Sequence, residues 1–318
     1  MPYDDRPLLT EPSGAARRIH GAMIAFAAGD ALGVPWEGRP PEHIDTAEVV
    51  RLPAPDRGWP RGSTSDDTAQ MVLVARCLAD TGGRPGSMDF LARLADAAPG
   101  VRGLGPTTRR ALAHFHATGE LPVPSAGDLA TNGAAMRIAP VGWAVPPHRP
   151  ERRRGLCEAL SAATHRAPAA VASACVIAAM ASSAVEGAGA ADLPAVAAAE
   201  ARWAGERYGP MEAVADAARG RWSPPREGVS LDAVETAAAV VHVIREAPDL
   251  AAALPYAVSL GGDADTVAAL VGGVLGARDP ETVTSLGWLG LVDLGEYRGL
   301  GDLATRLAAL RETPDAGL

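Results

Sequence analysis

The stretch Gly261-Gly262-Asp263-Ala264-Asp265-Thr266, followed by Val267-Ala268-Ala269-Leu270-Val271-Gly272-Gly273-Val274-Leu275-Gly276-Ala277, sets the reading of this chain. In its second part every position is apolar or glycine, so it reads as a buried helix whose small residues let neighbouring helices approach closely. The first part places two carboxylates and a hydroxyl together behind a pair of glycines. Paired glycines let the backbone turn sharply, and Asp and Thr oxygens suit a hard divalent cation such as Mg²⁺ or Mn²⁺. Asp and Thr are also ordinary helix caps, and alone the stretch favours a cap over a metal site.

Around this segment the composition points to an all-α fold, and the length is enough for one large domain or two ordinary ones. Of the 318 residues, 47% are hydrophobic but only 4% are aromatic, so the core is built from Ala, Leu and Val, which suits tightly packed helices better than a sheet. Lys and Arg number 29 against 38 Asp and Glu, a net charge of −9 that argues against general nucleic-acid binding. Cys77, Cys157 and Cys175 are odd in number and far apart, and read as reduced core thiols. Residues 1–12 carry no apolar signal region, and residues 167–185 are Ala-rich and broken by Ser, which fits a core helix and no membrane span. A cytoplasmic protein is expected.

In chain order, residues 1–14 read as a disordered lead-in and residues 313–318 as a tail, with residues 15–312 forming the helical domain. A helix over residues 15–28 runs into Gly29-Asp30-Ala31-Leu32-Gly33-Val34-Pro35-Trp36-Glu37, where glycine and proline are expected to break or bend it. The Pro-rich residues 40–61 form an irregular loop that delivers Ser65-Asp66-Asp67-Thr68 ahead of a second apolar helical run. Two helices follow within residues 87–118, separated by a loop containing Gly103 and Gly105. Asn132-Gly133 opens an apolar segment in which Asn132 can cap a helix. Helices then dominate to residue 310, and His165 sits at the junction before Pro168.

Each acidic cluster by itself reads as a cap. If the two converge, at least four carboxylates share one small volume, which mutual repulsion forbids without cations. Two Mg²⁺ or Mn²⁺ ions would neutralise them and leave positions open for water or substrate hydroxyls, pointing to metal-assisted hydrolysis of an oxygen-rich substrate.

The ordered set Gly29-Asp30-Ala31-Leu32-Gly33 with Glu37, Ser65-Asp66-Asp67-Thr68, Arg102-Gly103-Leu104-Gly105, Asn132-Gly133 with Met136-Arg137, Thr164-His165 and Gly261-Gly262-Asp263-Ala264-Asp265-Thr266 resembles the ADP-ribosylglycohydrolases. The resemblance implies an orthogonal bundle of helices with a dinuclear Mg²⁺ or Mn²⁺ centre that cleaves the C1″ glycosidic bond of an ADP-ribosyl group on protein, nucleotide or small molecule. It implies Ser65, Asp66, Asp67, Asp263, Asp265 and Thr266 as metal ligands, and Glu37, Asp66 and Asp263 as the residues at the reacting ribose. Gly103, Gly105, Asn132, Gly133, Met136 and His165 would line the substrate site of a monomer. Two departures stand out. Ser65 replaces the usual Thr and keeps the hydroxyl, whereas Asp128-Leu129-Ala130-Thr131 lacks the Gly-Ser-Tyr-Gly with which some members hold the distal half of the substrate.

Overall fold

The apolar run after Thr266 is a helix, Ala264–Arg278, in which every residue from 264 to 277 is buried. The computed structural model describes residues 13–123, 128–295 and 297–313. Most of the expected lead-in and tail lies outside them, but Gly14 is already helical and Ser13 caps it.

Among the described residues the α-helices are α1 (Gly14–Gly33), α2 (Thr46–Val49), α3 (Asp66–Asp80), α4 (Ser87–Ala97), α5 (Pro106–Thr118), α6 (Ala139–Ala144), α7 (Pro150–Ser161), α8 (Pro168–Val185), α9 (Leu193–Tyr208), α10 (Glu212–Ala218), α11 (Ala233–Glu246), α12 (Leu250–Ser259), α13 (Ala264–Arg278), α14 (Pro280–Val283) and α15 (Leu300–Glu312). No sheet forms among them; the only extended pairings are single bridges, Thr131 with Asp232 and Val229 with Gly262. The all-α, single-domain expectation is borne out.

α1 and α13 form the central pair, and glycine is the reason they can. A Cβ on Gly29 would lie 2.3 Å from the Ala268 carbonyl oxygen, and one on Gly33 2.3 Å from the Asp265 Cα. From the other side, a Cβ on Gly272 would lie 2.2 Å from the Ala25 carbonyl oxygen. The glycines expected to end α1 therefore do the opposite. The helix runs on to Gly33 because close backbone packing outweighs the cost of about 1 kcal/mol per helical glycine. Gly272→Ala is accordingly expected to lose about 2–3 kcal/mol of stability by overpacking. Gly155→Ala in α7, where a Cβ meets nothing within 4 Å, should be neutral or slightly stabilising. Denaturant unfolding of both checks this, and equal effects would refute it.

α8 packs against α6, α9, α11 and α13, and residues 170–185 are buried throughout. It is the described helix long and apolar enough to cross a membrane, and its burial makes it a core element. Trp143 Nε1 donates to the Gly273 carbonyl at 3.1 Å, fastening α6 over the small-residue face of α13. Cys77, Cys157 and Cys175 are buried free thiols. This packing places the N-termini of α3 and α13 beside the C-terminal end of α1.

Candidate metal centre

Asp30, near the end of α1, is fully buried and accepts hydrogen bonds from Ser65 N at 3.0 Å, from Thr68 N at 3.0 Å and from the Thr68 hydroxyl. Ser65 Oγ accepts from Asp67 N at 3.2 Å and donates to Asp67 Oδ2 at 3.1 Å. Asp30 and Ser65 thus satisfy the amides of Ser65, Asp67 and Thr68 at the start of α3. The Asp67 carboxylate is relieved of capping, while that of Asp66 meets its own amide.

The second cluster is held by backbone geometry. Gly261 and Gly262 both have φ of +68°, and Cβ atoms there would fall 2.6 Å from the Arg39 carbonyl oxygen and 2.0 Å from that of Val229. Gly262 N donates to Arg39 O at 2.8 Å, Gly38 N to Gly262 O at 2.8 Å, and Asp263 N to Val229 O at 2.8 Å. The segment is threaded between residues 38–39 and 228–229, which brings Glu37 to Asp263. Asp263 precedes α13, yet its side chain caps none of the helix amides. Its Oδ2 instead accepts from Asn132 Nδ2, which also donates to Thr236 Oγ1 at 2.9 Å. The capping reading fails for Asp263.

Carboxylate oxygens of Glu37, Asp263 and Asp265 come within 4.8 Å of one another, a donor set able to hold a metal ion. Asp67 faces the same volume: Asp263 and Asp265 both feel its charge or act on it, and Thr266 hydrogen-bonds to it. Burial raises Asp263 to about 6, a shift opposed by its bond from Asn132. Asp265 is pushed well above the usual carboxylate range by burial and then by Glu37, Asp263 and Asp67. Asp67 rises in the same way by burial and by Asp30, Asp66 and Asp263, and its Oδ1 has no hydrogen-bond partner among the described residues. Oxygen-rich, buried and mutually repelling, this set fits a hard divalent cation.

Asp66 is oriented differently. Its Oδ2 accepts from Gln70 Nε2 at 2.7 Å, and burial followed by the charge of Asp30 raises it to about 7. Gly103, at φ +88°, lets Asp66 and Trp59 come close: a Cβ there would be 3.1 Å from Asp66 Oδ1 and 3.4 Å from the Trp59 ring. Glu37 is the partly open member of the group and is ion-paired with Arg57, with Nη1 2.6 Å from Oε2.

The remaining predicted site residues fall into two sets. Asn132, Gly133 and His165 are brought together, since a Cβ on Gly133 would lie 2.5 Å from His165 Nε2. Met136 is buried one turn on, its amide bonded to the Asn132 carbonyl at 2.9 Å. Asn132 does not cap a helix as expected. It opens a series of turns, and α6 begins only at Ala139, because the Asn132 side chain is committed to Asp263 and Thr236. Gly105 immediately precedes α5, and a Cβ there would meet nothing within 4 Å, so its side faces open space. An open cavity of about 1000 Å³, lined among others by Pro40, Pro224, Pro225 and Tyr256, includes none of the clustered carboxylates. The converging carboxylates, and not that cavity, mark the site.

The profile of the ADP-ribosylglycohydrolases matches residues 11–317. The chain belongs to the ADP-ribosylglycohydrolase family. It is 26% identical over 317 residues to the ADP-ribosyl-[dinitrogen reductase] glycohydrolase of Rhodospirillum rubrum, covering 95% of this chain and 99% of that one. It is 27% identical over 340 residues to the uncharacterised protein YegU of Escherichia coli (strain K12), covering 94% and 98%. A solved structure of an ADP-ribosylglycohydrolase-related protein complex superposes with a TM-score of 0.76 at 30% identity, over 93% of this chain and 98% of that one. Family and fold are those of a glycosidic-bond hydrolase acting on ADP-ribosyl groups.

Within this chain the sequence left four supporting residues without a role. Asp30 and Arg137 stand inside family landmarks but lie far in sequence from the groups they contact. Gln70 was visible as the helical neighbour of Asp66 at i, i+4. Arg57 carried no signal at all, because its pairing with Glu37 depends on the path of an irregular loop.

Proposed function

We propose that this chain is a metal-dependent ADP-ribosylglycohydrolase that hydrolyses the C1″ N- or O-glycosidic bond of an ADP-ribosylated protein side chain, nucleotide or small molecule. The observation that carries the reading is the convergence of Glu37, Asp263 and Asp265 opposite Asp67 in the fold of this family. Ser65, Asp66, Asp67, Asp263, Asp265 and Thr266, with Glu37 at the edge, would hold two Mg²⁺ or Mn²⁺ ions. When bound, such ions neutralise the carboxylates, orient substrate hydroxyls and lower the pKa of water.

The protein's own groups divide the remaining work. Glu37, the open carboxylate of the cluster, takes the proton of the water that adds to C1″ as the bond to the departing nitrogen or oxygen breaks. The bonding electrons leave with that atom, and Glu37 then hands it the proton taken from water, returning to the carboxylate. Asn132 fixes the Asp263 carboxylate, and Asp30 fixes the helix end that carries Asp66 and Asp67. Gly103, Gly105, Gly133, Met136 and His165 line the path of the ADP-ribosyl group.

The test is release of ADP-ribose from a panel of ADP-ribosylated peptides, nucleotides and O-acetyl-ADP-ribose in the presence of Mg²⁺ or Mn²⁺. No release from any of them would reject the reading.

Arg57 provides a second check. Its guanidinium occupies Glu37 and also feels the charge of Asp265, so it competes with an incoming cation. A half-exposed pair of this kind is worth under about 1 kcal/mol, so Arg57→Ala should leave stability nearly unchanged and tighten metal binding about two- to fivefold. Weaker Mn²⁺ binding by calorimetry would contradict this competition.

A further inference from the structure

A buried chain of hydrogen bonds leads from Asp66 to His165, and its directions can be assigned atom by atom. Arg137 is fully buried, with its guanidinium 4.6 Å from the Phe90 ring centre. Its Nη1 donates to Gln70 Oε1 at 2.8 Å, and its Nη2 donates to the Leu160 carbonyl at 3.0 Å and to Thr164 Oγ1 at 2.7 Å. Because Arg can only donate, the Gln70 carbonyl must face it, which turns the Gln70 amide toward Asp66 Oδ2 at 2.7 Å. Arg137 bonds directly to no carboxylate among the described residues. The acid whose charge it feels is Asp66, one amide away.

At the other end, Thr164 Oγ1 lies 2.7 Å from His165 Nδ1. The hydroxyl already accepts from Arg137 and has no third partner among the described residues, so its own hydrogen has one acceptor available, His165 Nδ1. That leaves the ring hydrogen on Nε2. The Nε2 edge lies flush against Gly133, beside the Asn132 that holds Asp263. No described residue hydrogen-bonds to Nε2, and His165 keeps 3% of its surface exposed. Burial, and then the positive charge of Arg137, pull the imidazole down to about 3, so it stays neutral.

We propose that Arg137 and Thr164 are positioning residues that lock His165 as the neutral Nε2–H tautomer, presenting a hydrogen-bond donor to an oxygen of the bound substrate. Through Gln70 the same guanidinium orients Asp66, so one buried cation sets both a metal-side carboxylate and a substrate-side donor. The substrate part of this inference rests on the proposed function; the tautomer does not.

The experiment is a long-range ¹H–¹⁵N correlation spectrum of the full-length protein labelled with ¹⁵N-histidine, recorded without metal or substrate. His165→Gln assigns the signal. The expected wild-type pattern is a single tautomer with bare Nδ1 and protonated Nε2. Thr164→Val, which removes the hydroxyl at nearly constant volume, should mix the tautomers or shift the proton to Nδ1. Thr164→Ser should restore the pattern. Arg137→Met should mix the tautomers too, since Thr164 can then accept from Nδ1–H. A wild-type His165 protonated on Nδ1, or a spectrum unmoved by Thr164→Val, overturns the proposal, and a merely structural Arg–Thr contact would give that unmoved spectrum. Titration with ADP-ribose gives the functional readout, with Thr164→Val expected to weaken binding about 5- to 30-fold and Thr164→Ser to recover it. If ADP-ribose does not bind the wild type, the proposed function fails while the spectrum still decides the tautomer.

Discussion

Asp263→Ala is expected to abolish high-affinity divalent-cation binding and to lower kcat/KM for ADP-ribose release by about 10³-fold or more. The residue touches both halves of the centre: its carboxylate converges with Glu37 and Asp265, and its Oδ2 is fixed by Asn132. Without it the donor set loses a preorganised member, and the charge that draws the cation in falls by one. Asp265→Asn separates metal binding from stability, since it keeps the size of the side chain and the acceptor for the Thr266 amide. In the metal-free protein the Asp265 carboxylate is buried against Glu37, Asp263 and Asp67, so neutralising it should raise the metal-free Tm by a few degrees while cation binding and activity are lost. Thermal unfolding with and without Mn²⁺, alongside turnover, measures all three. Wild-type metal stoichiometry and turnover in Asp263→Ala would sink the metal-centre reading. A lower metal-free Tm in Asp265→Asn would show that this carboxylate is compensated within the protein.

The site was legible where chemistry is written locally. Two acidic clusters ahead of apolar runs are visible in the sequence, and the structure brings Glu37, Asp263 and Asp265 together with Asp67 facing them. The Ala-rich residues 167–185 also placed α8 closely, because a long apolar run that starts at a proline needs no tertiary information to read as a buried helix. What local reasoning misread was glycine. Gly29 and Gly33 resemble breakers, yet they are helical because α13 presses its backbone against them. Asn132 looked like a cap because its partner Asp263 lies 131 positions away. Asp30 is the clearest case of a support role hidden from sequence. It performs a capping task for a helix that begins 36 residues later, so nothing next to it in the chain announces the function.

The pH dependence of the metal-free and metal-loaded forms should run in opposite directions, and this contrast tests the centre without any mutation. In the metal-free protein Asp66 is raised to about 7 and Asp263 and Asp30 to about 6, with burial the leading cause for each, against about 4 in an unfolded chain. Between about pH 4 and 7 the folded state therefore binds more protons than the unfolded state, so unfolding free energy falls as pH rises through this window. The stability these groups contribute is fully present below about pH 4 and lost once pH has passed their folded values. A cation reverses the slope for its ligands, because it binds the ionised carboxylates and must displace their protons. Metal affinity should fall by up to about tenfold per pH unit, for each proton displaced, on going below pH 7. The expected record is a metal-free Tm that declines from pH 5 to pH 7.5, together with a Mn²⁺-induced rise in Tm that is small at pH 5 and large at pH 7.5. Calorimetric titration in buffers of different ionisation enthalpy should detect protons released on Mn²⁺ binding at pH 6 and few at pH 8. A Mn²⁺ effect independent of pH across this range would mean that the buried carboxylates are not its ligands.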